Sequence, residues 1–400
     1  MKLKKLIFLS VIILNLILCS NTWALLAGPE LFGMDFRFNN PGARSSAMGG
    51  AFIGLADDAT AAYTNPAGLT ILSEPEVSLE LKHTRLTNKV YSFQGSDEFE
   101  DDVFDTSFFS FAYPKKDSTI TLYRHRLVNV ESNFEWRESV TRSDKIDFDM
   151  DVVTTGIGMG FKVSETLSMG LSVGFAHLEY YSLDDKYDMG VLDSFERVND
   201  EDSAEHYTVS FLWNLAEKLN VGLVYRYGPE FRTTKSRWED TGAGVYELQY
   251  NLESELKIPD AYGLGLAYRF SPSFTAALDA NYVEYSDLTD NFELEPASPQ
   301  NGSDFEVDDA VEVHVGLEYV VDLETRPLAL RMGYFYRPDH RIKYVGPDAT
   351  FREILKDRGD HEHIFSVGFG TLLSEDVQLD ISASTSEYIK EGSFSMVYRY

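Results

Sequence analysis

From about Val77 to its last residue, the chain alternates apolar and polar residues with a period of two, in one segment after another. Leu219, Val221, Leu223, Tyr225 and Tyr227 share a face, with Asn220, Gly222, Val224 and Arg226 between them. Tyr262 to Phe270, Phe274 to Tyr282 and Val311 to Tyr319 repeat the pattern. Side chains two apart share one side of a strand, so each segment predicts a strand with one apolar face and one polar or small face. A soluble sandwich alternates too, but three details favour lipid. The polar faces carry charges and glycines along much of their length, as a watery lumen would permit. The apolar faces often end in Tyr, as in an aromatic girdle at the headgroup level. The connections alternate in kind. Short ones, such as Lys115-Lys116-Asp117, Ser164-Glu165-Thr166 and Ser271-Pro272-Ser273, take turns with long acidic ones at Asp184 to Ser203, Thr289 to Asp308 and Asp339 to Asp360. This is the periplasmic and extracellular asymmetry of outer-membrane barrels, and it predicts both mature chain ends in the periplasm and the long loops outside.

The N-terminus supports export. Lys2, Lys4 and Lys5 precede an apolar run from Leu6 to Leu18, and Thr22-Trp23-Ala24 offers small residues three and one before a cut. That is the plan of a cleavable signal peptide over residues 1–24, and the run is shorter than the ~20 residues of a spanning helix. Cys19 is the sole cysteine and leaves with the signal, so the mature chain has no thiol for a disulfide, a nucleophile or a thiolate metal site. The chain has 65 acidic and 35 basic residues, and loss of the three leader lysines leaves 65 against 32. Such an excess argues against nucleic acid as a partner, because phosphate binding needs clustered Lys and Arg. No later segment is apolar enough for a membrane helix. A membrane form must therefore be a closed barrel, since only helices and closed barrels satisfy every backbone group in lipid.

Fifteen candidate segments appear if Pro259 divides Glu247 to Phe270. A barrel with both ends on one side needs an even number, so this stretch is taken as one strand interrupted at Pro259, giving an all-β, transmembrane barrel of fourteen antiparallel strands over residues 77–400. The last strand is placed at Ser393 to Tyr400, with an aromatic C-terminus of the kind the barrel-assembly machinery recognises. Residues 25–76 do not alternate and are rich in Gly and Ala. Small residues pack closely, and a fourteen-strand barrel is too wide to fill with its own side chains, so this segment is expected to be an N-terminal hatch, or plug.

Pro41-Gly42-Ala43-Arg44 through Gly49-Gly50-Ala51-Phe52, Ala56-Asp57-Asp58-Ala59-Thr60 and Asn65-Pro66-Ala67-Gly68-Leu69 resemble the hatch of the FadL family of outer-membrane transporters for long-chain fatty acids and aromatic hydrocarbons. Lys257-Ile258-Pro259-Asp260, Gly263 to Pro272, Tyr282 to Leu288 and Leu330-Arg331-Met332-Gly333-Tyr334 are similar to its barrel. The resemblance covers nearly the whole mature chain. It implies passive diffusion of a hydrophobic small molecule past a hatch formed around Asn65, Pro66, Ala67 and Gly68, with lateral release into the membrane. Outer-membrane lipid, lipopolysaccharide and the barrel-assembly machinery are the other expected partners. The same hatch pattern occurs in PorV-like relatives, which makes a platform for protein secretion or surface attachment the alternative.

No cofactor, metal or catalytic residue is expected. Gly170-Leu171-Ser172-Val173-Gly174 matches a nucleophile elbow, but Ser172 lies mid-strand rather than on a strand-to-helix turn. Asp147, Asp149 and Asp151 open like a calcium loop, yet Val152 stands where its glycine should be and Gly158 where its Glu should be. His361 and His363 share a strand face with no third ligand. Arg226, Arg269, Arg331, Asp279 and Glu312 fall on inward faces by strict alternation. They suggest ion pairs that tie wall to plug; the sharper reading has one Arg meet a ligand carboxylate. Thr119 to Trp136, the third strand, breaks its alternation. Ile120 and Leu122 begin an outward face that would put Arg124 and Arg126 in lipid. A bulge near Tyr123 to His125 would turn Leu127 outward and the arginines away, opening the wall beside Tyr123, Arg124 and His125. The other reading has the strand already clear of the membrane at Arg124.

Overall fold

Alternation of period two becomes fourteen long strands in the computed structural model, which describes residues 25–26, 40–92, 95–137, 140–242, 244–289, 292–293, 302–323, 326–349, 352, 355 and 361–400. The expected signal peptide lies outside the described residues. The strands are β1 (Glu76–Ser92), β2 (Gly95–Lys115), β3 (Ser118–Trp136), β4 (Arg142–Lys162), β5 (Leu167–Asp188), β6 (Val191–Ala216), β7 (Leu219–Tyr227), β8 (Ala261–Ser271), β9 (Phe274–Val283), β10 (Ala310–Asp322), β11 (Pro327–Arg337), β12 (Glu362–Leu372), β13 (Val377–Thr385) and β14 (Ile389–Arg399). Each pairs antiparallel with the next, and β14 pairs with β1 from Glu76↔Arg399 to Leu86↔Ile389, which closes the ring. A hairpin rises from β7 and β8: Glu230–Asp240 continues β7 past Gly228-Pro229, and Tyr246–Lys257 leads into β8 past Ile258-Pro259-Asp260. Pro259 therefore interrupts a strand, because its ring nitrogen has no proton for the ladder. The closing strand begins earlier than Ser393, at Ile389.

Both ends of the barrel chain and the short turns lie at one end of the ring, here called the lower end. In the lower part of β4, Ile157, Met159 and Phe161 face outward and are exposed, while Gly156, Gly158 and Gly160 face inward. In its upper part the polarity inverts. Asp147, Asp149 and Asp151 face outward, and Ile146, Phe148, Met150 and Val152 are buried inside. β5 inverts likewise, from Val173 and Phe175 outward to Glu179 outward with Leu178 buried. An outward face needs to be apolar only where its solvent is lipid. The inversion marks where these strands leave the membrane.

Two expectations need correction. Asp184 to Ser203 is not a loop: β5 and β6 pair through this stretch up to a turn at Met189-Gly190. Its charges are compatible with a sheet because Glu196 is buried among Lys186, Lys235 and Arg237, at 2.5, 2.5 and 3.0 Å. Nor is the lumen watery along most of the wall glycines: Gly158, Gly160, Gly170, Gly222, Gly265, Gly316 and Gly333 lie against the plug. Above it, inward apolar residues of β3 to β5 join Phe231, Leu256, Tyr285, Leu288, Phe305, Tyr344 and Leu355 in one buried cluster. The described parts of the two remaining long loops thus fold over the barrel and share its core.

Candidate functional site

Residues 40–75 lie within the ring. They form two short helices, α1 (Ala43–Ala47) and α2 (Ala61–Thr64), and a 3-10 turn, Pro66–Ile71. Elements this short leave most of their backbone groups without helical partners, and a buried N–H or C=O must find one elsewhere. The wall supplies many. The Asp279 carboxylate accepts from the backbone N–H of Phe52 and Ile53 at 2.6 and 2.7 Å. Ser366 Oγ accepts from Gly49 N at 3.0 Å and donates to Ala47 O at 3.1 Å. His314 donates through Nδ1 to Gly49 O at 2.8 Å, Glu80 accepts from Gly42 N at 2.9 Å, and Ser210 Oγ accepts from Ala67 N at 3.0 Å. Such contacts require the plug backbone to come very near the wall. A Cβ on Gly170 would lie 2.0 Å from Ala67 N, and one on Gly333 would lie 2.0 Å from Gly49 N. Inward glycines are thus the seat of the plug.

Asn65 is fully buried. Its Nδ2 donates to Ile53 O at 2.7 Å within the plug and to the wall carbonyl of Phe211 at 3.4 Å, and its Oδ1 accepts from Ala67 N at 3.2 Å to cap the turn that Pro66 begins. A Cβ on Gly68 would meet Ala56 O at 2.1 Å, so this residue keeps two plug segments in contact.

The inward charges form a relay between plug and wall. Arg44 of α1 binds Glu318 with both Nε and Nη2, at 2.9 and 3.1 Å, and pairs with Asp57. Burial alone would lower its pKa, but Asp57 and Glu318 hold the guanidinium well above its ordinary value. Glu318 also accepts from Arg331 at 2.6 Å, and Arg331 reaches Asp380 at 2.7 Å. Arg226 lies over the Tyr63 ring at 4.3 Å and donates to Tyr63 O at 3.3 Å. Glu312 accepts from Tyr285 OH at 2.8 Å. Arg269 does not join these contacts; it is exposed near the lower rim. Alternation placed these charges inward but could not pair them. The hatch residues Arg44 and Asp57 and the wall residues Ser210, Ser366 and His314 were missed. An inward glycine beside an inward hydroxyl or imidazole was the available signal.

The third strand also departs from expectation. Its bulge lies between Arg126 and Val128 in the pairing with β4, later than anticipated. Leu127 turns inward and is buried, and the arginines stay on the outward side. Arg124 donates to Thr106 O at 3.0 Å, and Arg126 pairs with Asp105 and Asp151 at 3.2 and 3.0 Å. These charges are tolerated because the outward neighbours here are already acidic. Tyr123 and His125 point inward: the tyrosine shares a 2.8 Å hydrogen bond with Ser172, and the imidazole packs on Tyr63 at 4.3 Å. Ser172 is thus a mid-strand packing residue. Asp147, Asp149 and Asp151 lie within β4 rather than in a loop. His361 and His363 are exposed, and the described residues contain no group of three or more His, Cys, Asp or Glu placed to hold a metal.

The sequence model of the outer membrane protein transport proteins (OMPP1/FadL/TodX) matches residues 37–393. The chain belongs to this family. Its members are transport channels of the outer membrane, not enzymes. No curated protein matches the chain by sequence. Among solved structures, a Pseudomonas aeruginosa FadL homologue is similar at a TM-score of 0.67 and 14% identity, covering 92% of this chain and 99% of that one. The P. putida toluene transporter TodX is similar at 0.62 and 14%, covering 91% and 99%. The CymD monoaromatic hydrocarbon channel is similar at 0.61 and 16%, with the same coverage of 91% and 99%. At such identities the likeness establishes the FadL-type barrel fold, and the family match carries the outer-membrane location.

Proposed function

We propose that this FadL-family protein takes up hydrophobic small molecules, long-chain fatty acids or hydrocarbons, by passive diffusion past the plug, and releases them sideways into the membrane. The observation that carries the lateral step is a ladder that stops at the upper edge of the apolar belt, where Arg124 is level with Thr155 and Phe175, so a molecule leaving there enters the membrane at that edge. β2 and β3 pair from Lys115↔Ser118 to Phe108↔His125 and no further, although β2 continues on β1 and β3 continues on β4. Beyond this pair the seam is crossed by side chains instead: Arg124, from within the paired stretch, reaches up to Thr106 O, and Arg126 pairs with Asp105. Side-chain contacts separate without breaking a strand ladder. The plug, held largely by single hydrogen bonds to its backbone, is the second movable part, and Asn65, Pro66, Ala67 and Gly68 are its proposed hinge.

A cysteine pair across the seam tests this reading. Asn129 reaches Asp105 at 3.4 Å, so Asp105→Cys with Asn129→Cys places two thiols within reach. Oxidation is expected to stop hydrocarbon uptake by cells and reduction to restore it; unchanged uptake with the disulfide formed removes the lateral route. Asn65→Ala with Pro66→Ala is expected to leave a folded, heat-resistant barrel with altered uptake or leak. The tight seating of the plug favours a second reading, the secretion or attachment platform. That reading gains if neither change affects uptake.

A further inference from the structure

A second break in the wall lies away from that seam. β6 pairs with β7 up to Tyr207↔Tyr227, and pairs again with the continuation of β7 only from Arg197↔Ser236. Between these limits, residues 198–206 face residues 228–235 without a ladder, so the wall has an eyelet closed above and below. The missing bonds are partly replaced by carboxylates: Asp202 accepts from Arg232 N at 2.7 Å, and Asp200 accepts from Thr234 N. The sill is the stacked pair Tyr207 and Tyr227, with ring centroids 4.6 Å apart. These tyrosines sit where the apolar outward face of β6 gives way to Glu205 and Glu201, at the outer rim of the membrane belt.

Behind the eyelet is a cavity of about 70 Å³ whose lining includes Tyr63, Leu127, His206, Arg226, Pro229 and Ile258. Its lining is mixed, with Asn40, Asn281, Glu312 and Arg337 beside the apolar side chains, and two of its polar groups, His206 and Arg226, have unused capacity. His206 is 1% exposed and donates through Nδ1 to Tyr227 O at 3.0 Å. A neutral imidazole that donates from Nδ1 has its lone pair on Nε2, and that buried Nε2 has no partner among the described residues. The Nε–H of Arg226 is likewise buried without an acceptor among them. Both side chains pack on the Tyr63 ring, His206 at 5.8 Å and Arg226 at 4.3 Å. An unused acceptor and an unused donor beside one ring are the complement of a hydroxyl group, which donates once and accepts once. An alkane or a plain arene would leave both buried groups unsatisfied, which disfavours it.

We infer that this cavity is a headgroup subsite for hydroxyl-bearing hydrophobic molecules, alcohols or phenols, reached through the β6–β7 eyelet. At about 70 Å³ it accepts the polar end of such a molecule, while the apolar body extends through the eyelet above the two stacked tyrosines. The inference rests on the channel reading above and deepens it by naming a substrate class.

The test compares 4-methylphenol with toluene, which differ by the hydroxyl alone. Calorimetric titration of the full-length protein in detergent is expected to show at least tenfold tighter binding of the phenol. His206→Phe, which removes the acceptor, should bring the two within about twofold. His206→Gln, which can still accept a hydrogen bond, should keep most of the preference. Ala204→Trp, placed in the eyelet, should slow binding and release together and leave the affinity unchanged. Equal affinities in the native protein overturn the subsite, and so does a preference that survives His206→Phe in a folded, heat-resistant barrel. Unaltered rates in Ala204→Trp remove the eyelet as the route. If toluene binds without a phenol preference, only the subsite fails; if neither compound binds, the channel reading fails with it.

Discussion

The lower and upper parts of β4 to β6 are the same strands with opposite polarity. Below, Ile157, Met159, Phe161, Val173 and Phe175 meet lipid, and inward glycines meet the plug. Above, Asp147, Asp149, Asp151 and Glu179 meet water, and Ile146, Phe148, Met150 and Leu178 make a core. Period two is common to both, so the ladder runs unbroken from one solvent to the other. The comparison shows that an outer-membrane barrel can carry a conventional water-soluble core above the bilayer on the strands that cross it. Burial drives that upper core, whereas the lower wall has lipid as its apolar solvent and depends on backbone pairing and on the seat of the plug.

Three substitutions test this contrast. The largest effect is expected from Phe148→Ala, which leaves a cavity in the upper core and should cost about 3–5 kcal/mol. Hydrogen exchange should show faster opening of the upper strands while the lower ladders stay protected; uniform loosening would mean that the two parts unfold as one. Next is Ile157→Arg on the lipid face, expected to cost about 2–4 kcal/mol in reversible refolding into bilayers. A cost near zero would place Ile157 above the membrane and move the boundary downward. The smallest is Asp149→Lys, only four outward positions higher on the same strand, which should change stability by no more than ~0.5 kcal/mol. A penalty comparable to that of Ile157→Arg would put Asp149 in lipid and refute the inversion.

Much of the fold was legible because barrel strands obey a local rule. Alternation located the strands, an even count resolved Pro259 as an interruption, and the short turns marked one end. The Gly- and Ala-rich run before Glu76 announced a closely packed segment. Legibility failed where a feature depended on neighbours. Asp184 to Ser203 looked like a loop because its charges, read along the chain, give no sign that Lys235 and Arg237 come from another hairpin to neutralise Glu196. The bulge at Leu127 was misplaced by a few residues because a bulge is defined by the partner strand, here by the step from Val153 to Val152 opposite Arg126 and Val128.

The candidate site divides the same way. The inward positions of Arg226, Arg331, Asp279 and Glu312 follow from period two alone, as does the outward apolar belt, since a side chain's face depends only on its place in its own strand. The tertiary structure alone decided that Asp279 caps Phe52 and Ile53, that Glu318 bridges Arg44 and Arg331, and that the ladders lapse at β2–β3 and β6–β7. Those facts join residues tens to hundreds of positions apart. They depend on register, shear and the docking of the plug, and no local pattern in the chain encodes the distance between two strands that must first be brought side by side.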